Sequence, residues 1–452
     1  MKRILIFYIF LFITAQLAAQ EKSMVITMTL DEALQIARKQ QPDLLNAKRN
    51  ISYAEVATRE AKSSYYPKLT VEGDYRYNPI IQTTVLPSNA FNPANDPKEL
   101  VPIQFGTPWN GAFGLRLKQA LYEPEKLATV NSSKIAVDLA KAQEKRILAE
   151  REEEIVKAWY SIMLSRAKQE FSEKDRVRNK NNEQLISEQL NTGRALATDL
   201  REAQLKTRES EINEETIGLD LFNAQVYLSY MMGYDSVQLI LPKETLTLPA
   251  QVRNTEQISS LQSVVEQRPD VQEQKINADV AALQLEQTKA GRLPTINLEG
   301  FLGANNYTFN FNPITGWYGN AFVGLSVRYN LFNSGEKKSQ IEQSRIELEQ
   351  QKENLRKLQQ QAYYEILNAR RKIDNQVKQV DLQQQRLKVQ EEKIEIVRSR
   401  LQEGRALPQD LLEEETKLSE IRDKLYQNLH DCLVAVAEYN RASGKNPAAI
   451  NQ

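Results

Sequence analysis

Two long stretches of the chain contain neither glycine nor proline, one between Pro124 and Gly193 and the other between Gly335 and Gly404. As α-helix, each stretch of about 68 residues would extend about 100 Å at 1.5 Å per residue. This length predicts helices far longer than those of an ordinary domain. Apolar residues recur at threes and fours in the second stretch, among Lys, Glu and Gln, which predicts an amphipathic helix with a coiled-coil-like seam: Leu348, Leu355, Leu358, Ala362, Ile366, Ala369, Ile373, Val377, Val380, Leu387 and Ile394.

Each stretch runs into nearly the same nine residues, "TGRALATDL" at 192–200 and "EGRALPQDL" at 403–411. Glycine suits the left-handed position that ends a helix, so we expect Gly193 and Gly404 to lie there. Pro408 suits the first position of the following helix, and Asp199 and Asp410 suit its positive first turn. The motif therefore predicts two antiparallel helical hairpins, whose second helices run through 199–232 and 410–443.

The two halves of the chain also match outside the hairpins, which predicts an internal two-fold repeat. We divide the chain into a signal peptide (1–19), a first repeat (20–238), a linker (239–256), a second repeat (257–444) and a C-terminal tail (445–452). The Pro- and Asn-rich stretch 78–110 is predicted to be a long surface loop, where length changes are tolerated. The matching residues are Leu34, Pro42, Asp43, Lys48, Asn50, Ala54, Pro67, Glu72 and Gly73 in the first half and Leu261, Pro269, Asp270, Lys275, Asn277, Ala281, Pro294, Glu299 and Gly300 in the second.

The N-terminus has the pattern of a secretory signal peptide. Lys2 and Arg3 precede an apolar run from Ile4 to Ile13, and small residues lead to Ala19. The alternative, a transmembrane anchor, needs about 20 apolar residues. The chain as a whole is 41% apolar with a mean hydropathy of -0.55, and its basic and acidic residues balance at 59 each. These values exclude a polytopic helical membrane protein and give no charge excess that would attract nucleic acid.

Four runs alternate between apolar and polar residues, as in strands with one apolar side: 68–77, 113–118, 296–302 and 323–331. The runs have six to ten residues, and a tilted strand that crosses a bilayer with a polar lumen on its other side has about ten. A strand of a soluble sandwich gives the same pattern and is the alternative. Four strands cannot close a barrel, and an open sheet edge is not tolerated in lipid, so the membrane interpretation requires further copies of the chain.

Aromatic residues flank these runs. Trp109, Trp317 and Tyr318 are predicted in the two loops at one strand end, and Tyr122 and Phe332 at the other. Aromatic girdles lie at both interfaces of transmembrane barrels, so these five residues are candidates for membrane-interface aromatics.

With these features together, the chain resembles the TolC-like outer-membrane efflux proteins over nearly its whole mature length. The resemblance rests on "LDEALQIARKQQPDLLNAKRNI", its echo "QRPDVQEQKINADVAALQLEQTKAGRLPTI", the strand-ending "QALY" and "YNLF", and the two Gly-to-Asp turns. It implies a mixed, mainly α fold, in which long antiparallel hairpins form a periplasmic α-barrel and four transmembrane strands per chain form part of a shared trimeric β-barrel. It also implies a homotrimer in outer-membrane lipid that docks on a periplasmic adaptor protein, itself attached to an inner-membrane pump of RND or ABC type.

The resemblance also implies roles for individual residues. Asp199 and Asp410 match acidic positions of the family's periplasmic constriction, and Glu413 falls at a second acidic position; threefold symmetry would turn them into anionic rings that favour cations. First-turn capping and solvation is the other role open to these residues, and the two roles are compatible. Leu401 and Ala406 stand where the best-known family gate has a Tyr and an Arg.

The hairpin tips are the candidates for adaptor contact, and their alternative is local turn chemistry alone. The tips comprise Gly193, Arg194, Ala195, Leu196, Gly404, Arg405, Ala406 and Leu407.

The sequence carries no set of catalytic residues, and we expect no enzyme activity, cofactor or metal. His430 and Cys432 are two residues apart on a predicted helix, about 200° around it, which indicates helix packing rather than a metal or nucleophile pair. As the only cysteine of the exported chain, Cys432 cannot form an internal disulfide. The acidic runs "EEE" at 413–415 and "REEEIVK" at 151–157 are predicted to be solvated faces.

Two classes of function fit the sequence. The first is a passive trimeric duct, the outer-membrane component of a tripartite system that carries small toxic compounds or secreted substrates. The second is a coiled-coil or adhesin-like exported structural protein without a conduit. An exported hydrolase is a remote third, since acid, base and nucleophile sets are absent.

Overall fold

The structure is a computed structural model that describes residues 25–90, 96–249, 252 and 261–449. The predicted signal peptide, 1–19, lies outside the described residues. The elements follow one another as β1 (Val25–Met28), α1 (Leu30–Gln40), α2 (Pro42–Ser63), β2 (Lys68–Tyr77), β3 (Thr83–Pro87), β4 (Leu100–Gln104), β5 (Trp109–Tyr122), α3 (Pro124–Asn191), α4 (Ala197–Met231), β6 (Leu239–Pro242), α5 (Leu261–Gln267), α6 (Pro269–Ala290), β7 (Thr295–Thr308), β8 (Trp317–Arg328), α7 (Glu336–Gln402) and α8 (Pro408–Ala442).

The predominance of helix that the sequence predicts is confirmed. Helix α3 has 68 residues and α7 has 67, each filling a stretch without glycine or proline. The predicted seam of α7 is buried or half-buried along its length, and Ile366, Ile373, Val380 and Ile394 are buried. Their spacing of seven or fourteen residues is that of one side of a coiled-coil helix. Among the described residues, no helix combines the length and the apolar character needed to span a membrane.

The chain divides into two compact units. The first comprises the described parts of Met1–Asn50, Ala140–Lys275 and Asn354–Gln452. Its core packs Trp159 of α3, Ile240 of β6, Ile366 of α7 and Cys432 of α8 in one cluster. Helix α1 adds a buried apolar face, and a capping box starts it: the Glu32 carboxylate accepts from the Thr29 backbone N–H at 2.7 Å. Strands β1 and β6 form a parallel pair in this unit.

The second unit comprises Ile51–Leu139 and Ile276–Glu353. Its centre is a four-stranded antiparallel sheet in the order β2-β5-β7-β8. Strand β2 coincides with the predicted run 68–77, the next two runs lie on β5 and β7, and the fourth overlaps β8. A bulge between Ala120 and Tyr122 shifts the register at the end of β5.

Two local predictions are wrong. The stretch 78–110 contains the antiparallel pair β3–β4 instead of loop alone. Pro87 and Pro102 lack a backbone N–H, but in a two-stranded sheet both strands are edges, so few backbone hydrogen bonds are lost. Strand β8 ends at Arg328 rather than at Leu331, because its partner residue, Thr295, is the first of β7. The predicted linker, 239–256, contains strand β6.

Candidate functional site

Both hairpin turns have the predicted backbone geometry. Gly193 and Gly404 each have a φ of 71°, in the left-handed region that glycine adopts without strain. The next N–H, of Arg194 or Arg405, donates to the carbonyl five residues earlier at 2.8 Å. This is the bond that closes a Schellman motif, so both glycines end their helices as the sequence predicts.

The two aspartates cap the helices that follow the turns. The Asp199 carboxylate accepts from the Leu196 backbone N–H at 2.9 Å, and Asp410 accepts from Leu407 at 2.8 Å. Because Leu196 and Leu407 occupy the N-cap positions, they offer no side-chain acceptor of their own. The aspartates therefore cap their helices, which is one of the two compatible roles that the sequence predicts for them.

The leucines of the two tips project from the protein. Leu196 is 68% exposed and Leu407 is 66% exposed. The Gln409 side-chain amide donates to the Glu202 carboxylate at 3.1 Å, so the second helices of the two hairpins are in contact at their starts. The structure thus places the starts of the two helices that follow the tips next to each other.

The remaining predicted residues near the tips lie in different surroundings. Glu413 is exposed and lies 3.7 Å from Lys417 on the same helix. Leu401 packs against the small apolar cluster of Ile394 and its neighbours on α8. Arg405 is exposed and pairs with Glu403 at 3.2 Å.

The prediction that the run 413–415 forms a solvated face is wrong for two of its three residues. Glu415 of α8 is 3% exposed and contacts α3, where the Asn182 amide donates to it at 2.8 Å and Arg178 lies at 3.3 Å. Next to it, Ser419 donates to Asp175 at 2.6 Å. Burial raises the pKa of Asp175, against the lowering effect of Ser419 and Arg178.

Glu414 is buried on the side of α8 that faces α7. Burial opposes its ionisation, but hydrogen bonds from Lys393, Gln390 and Lys417 outweigh that effect and lower its pKa to about 2. The heptad spacing of the buried residues Leu411, Leu418 and Leu425 marks the buried side of α8. That spacing is the sequence signal that could have predicted the burial of Glu414 and Glu415.

The second acidic run, 151–157, is also partly buried. Glu152 pairs with Arg38 at 2.5 Å, and Glu153 pairs with Lys157 at 2.8 Å. Burial raises the pKa of Glu152 despite Arg38. The solvated-face prediction fails here because α1 and α8 cover this part of α3.

The four-stranded sheet has two chemically different faces. Register places most apolar residues of the four strands on one face, exemplified by the row of Val71, Leu115, Leu302 and Ala321. Phe301 and Phe322 are exceptions and lie on the opposite face. The charged residues of the four strands all lie on the opposite face: Lys68, Glu72, Asp74, Arg76, Arg116, Lys118, Glu299 and Arg328.

An aromatic cluster lies at one end of the apolar face. The ring of Trp109 lies 5.6 Å from Tyr75, 4.7 Å from Tyr77 and 5.0 Å from Phe311, measured between centroids. Of these residues, only Trp109 is among the interface aromatics that the sequence predicts. The register that pairs Tyr77 with Trp109 across the strands was the missing information.

The other predicted interface aromatics are placed as follows. Trp317 and Tyr318 begin β8 as Trp109 begins β5, rather than lying in the preceding loops, because the ladder with β7 extends to them. Trp317 lies on the apolar face and Tyr318 on the charged face. Tyr122 ends β5, and Phe332 follows β8 and is exposed.

His430 and Cys432 do not form a pair in this structure. His430 contacts Asp431 at 3.0 Å, whereas Cys432 is fully buried in the core of the first unit, where burial raises its thiol pKa to about 11. The described residues contain no group of three or more His, Cys, Asp or Glu that could hold a metal ion.

The fold is similar to solved outer-membrane proteins over most of the chain. The similarity to CusC, solved in a study of transmembrane channel formation, has a TM-score of 0.76 at 16% identity and covers 94% of each chain. The outer membrane protein VceC from Vibrio cholerae gives 0.72 at 16%, covering 92% of this chain and 96% of that one. The CmeC outer membrane channel of Campylobacter jejuni gives 0.71 at 16%, covering 93% and 86%. The fold is therefore that of the outer-membrane channel proteins.

Sequence comparison points to one family within this class. Residues 260–445 match the model of the outer membrane efflux protein family. The protease secretion protein PrtF of Dickeya chrysanthemi is 28% identical over 185 residues, which are 39% of this chain. The chain spans 38% of the length of that curated relative. The resemblance to the TolC-like outer-membrane efflux proteins that the sequence predicts is confirmed by the family match over residues 260–445 and by the shared fold.

Proposed function

We propose that this protein is the outer-membrane channel of a tripartite efflux or secretion system, a passive homotrimeric duct without enzymatic activity. The observation that carries the proposal is the two-faced sheet of β2, β5, β7 and β8, whose charged residues are confined to one face. A charge in the hydrocarbon of a bilayer is costly, so a face without charge suits lipid contact while the other lines a polar lumen. The aromatic cluster around Trp109 suits one membrane interface.

Two free sheet edges support assembly from several copies. Strands β2 and β8 end the sheet, and neither has a second strand partner among the described residues. Unpaired backbone groups at a sheet edge are too costly in lipid, so β8 of one copy pairs with β2 of the next until the sheet closes. Three copies, each contributing four strands, give the barrel that the sequence resemblance implies.

The long helices supply a second surface for the same assembly. Exposed apolar residues recur every seven positions on α4, at Leu205, Ile212 and Leu219, and on α7, at Leu382, Val389 and Ile396, with exposed fractions between 41% and 65%. A heptad stripe of this kind is the seam that packs against another helix, and in the described chain neither stripe is covered. The α4 stripe of one copy packs on the α7 stripe of the next, and the ring of hairpins encloses the duct.

The partners follow from the hairpin tips. Leu196 and Leu407 are apolar residues that remain exposed in the single chain. Exposed apolar residues on a turn suit contact with a partner, here a periplasmic adaptor protein. Energy for transport comes from an inner-membrane pump, of RND or ABC type, since a passive duct supplies none. Asp199, Asp410 and Glu413 form the acidic constriction. The cargo is small toxic compounds or secreted substrates.

Planar-bilayer conductance of the purified full chain tests the proposal. We expect a trimeric mass in detergent and stepwise, ion-selective openings under conditions that open the tips. A detergent-extracted monomer that never conducts would instead support the structural coiled-coil protein and reject the duct.

A further inference from the structure

One row of residues on the charged face of the sheet departs from the polar pattern around it. In register, Arg116 of β5 is opposite Phe301 of β7, which is opposite Phe322 of β8. The rings of Phe301 and Phe322 stack with their centroids 6.2 Å apart and an angle of 24° between their planes. Two large apolar rings are unusual on the face that carries all the charged residues of the sheet, which suggests that they have a specific role there.

Two glycines leave space for the ring of Phe301 next to the backbone. Gly114 and Gly303 lie beside it, and a Cβ on either would come within 2.9 Å of the ring carbon Cζ. Glycine inside a strand weakens it and commonly marks a close approach. Phe301 is only 8% exposed, with the Phe322 ring and the Arg116 guanidinium on either side of it.

A fixed cation completes the site. The Arg116 guanidinium lies 5.6 Å from the centroid of Phe301, and its Nε donates to the Glu72 carboxylate at 2.6 Å. Arginine has five N–H donors, and this bond uses one of them. Lys68 and Lys118 are opposite each other in the next row, with Glu299 beside Lys118. The charged face as a whole carries five basic residues against three acidic ones, so it favours anions.

We propose that Arg116, Phe301 and Phe322 form a binding site for planar aromatic anions on the charged face of the sheet. The ligand ring stacks on Phe322, which is 47% exposed, and the anionic group accepts from Arg116. If the sheet lines a duct, as proposed above, this site gives the barrel wall a preference for aromatic acids. The site lies within one chain, so binding itself does not depend on conductance.

The experiment is equilibrium dialysis of 1-naphthalenesulfonate against the purified full chain in detergent, with methanesulfonate as the probe that has the charge without the ring. We expect saturable binding of the naphthalene probe, and a rise in its Kd of about fivefold or more for Arg116→Gln and for Phe322→Leu, in keeping with the loss of one charge-assisted or stacking contact. Arg328→Gln is the matched control, because it removes the same charge from the same face away from the site, and it leaves the Kd unchanged.

The possible outcomes separate this site from the duct proposal. Equal effects of Arg116→Gln and Arg328→Gln, equal binding of methanesulfonate, or an unchanged Kd in both site variants would overturn the site even if the protein conducts. Naphthalenesulfonate binding with the expected pattern in a protein that does not conduct would support the site and count against the duct. Circular dichroism of each variant shows whether it is folded, and an unchanged Kd in a folded Phe322→Leu variant still rejects the stacking role.

Discussion

The carboxylate of Asp410 accepts a hydrogen bond from the backbone N–H of Leu407 at 2.8 Å, and Asp199 repeats this bond with Leu196. These aspartates are therefore committed to the starts of their helices, while Glu413, one turn further along, is exposed and has only a distant partner in Lys417. Of the three residues of the proposed acidic constriction, the two aspartates thus also stabilise the helix starts, whereas Glu413 does not.

Neutralising Glu413 alone should separate these roles. We expect Glu413→Gln to weaken the cation preference of the open channel with a change in unfolding free energy below about 0.5 kcal/mol, because exposed substitutions away from special features are nearly neutral. Asp199→Asn and Asp410→Asn should also weaken it, with a larger loss of stability, about 1 kcal/mol each, since they perturb a cap. The reversal potential in a KCl gradient and urea unfolding measure the two effects. Unchanged selectivity in the triple variant would remove the ring.

Substituting alanine for either tip glycine should destabilise the protein, whereas the same substitution at a glycine inside a helix should stabilise it. Nothing lies within 4 Å of a Cβ built on Gly193 or Gly404, so alanine there meets only the left-handed backbone and should cost about 1 kcal/mol. Gly218, inside α4, also has open space, but its backbone is helical, so Gly218→Ala should stabilise by about 0.5–1 kcal/mol. Thermal unfolding followed by circular dichroism gives the signs; stabilisation at all three positions would contradict the turn geometry.

Acid should weaken the contact between α7 and α8 through Glu414. Its pKa is lowered from 4.5 to about 2 in the folded protein, so its stabilising effect is present above pH 4.5 and is lost as the pH falls towards about 2. Its lysine partners are about half exposed, and solvent screening limits this effect to about 1 kcal/mol. We expect Glu414→Gln to be less stable than the wild type at pH 7 and to approach it at pH 3 in urea unfolding. Glu413→Gln, which changes an exposed neighbour, should show no such convergence.

The long helices and the strand faces could be predicted from the sequence because each depends on local pattern. The absence of glycine and proline over α3 and α7 leaves helix as the state that satisfies the backbone, and strict alternation fixes which side of β2 is apolar. The aromatic cluster could not be predicted, since it requires the register that pairs Tyr77 with Trp109. Glu415 was misjudged because composition marks three consecutive glutamates as solvated, whereas burial depends on which helix lies opposite.

Short elements were missed for a similar reason. Strands β1 and β6 have four residues each, and their parallel pairing brings together segments from distant parts of the chain. Nothing within four residues distinguishes such a strand from loop. The site of Phe301 also depends on non-local pairing, because Gly114 and Gly303 lie far apart in sequence and meet only through the β5–β7 ladder.

The exposed hairpin tips should be required for export without being required for folding. We expect Leu196→Asp combined with Leu407→Asp to abolish crosslinking to the adaptor and drug export in cells, since charge replaces the apolar contact. Thr198→Asp, an exposed change near the first tip, is the control and should retain both. The double variant should keep the wild-type trimer mass. Export and crosslinking at wild-type levels would exclude the tips as the docking surface.

The two heptad stripes, on α4 and α7, are proposed to pack against each other between copies. We therefore predict that one charged residue introduced into either stripe prevents formation of the trimer. Ile212→Asp on α4 and Val389→Asp on α7 each place a carboxylate in a seam that is exposed in one chain, so each monomer should fold while the trimer fails to form. Light scattering of the detergent-solubilised protein measures the mass of the assembly. Gln204→Asp introduces the same charge next to Leu205 but about 100° around α4, and it should leave the trimer intact. Because the two stripes are proposed to face each other, a trimer that survives one of the two seam variants but not the other would contradict this packing.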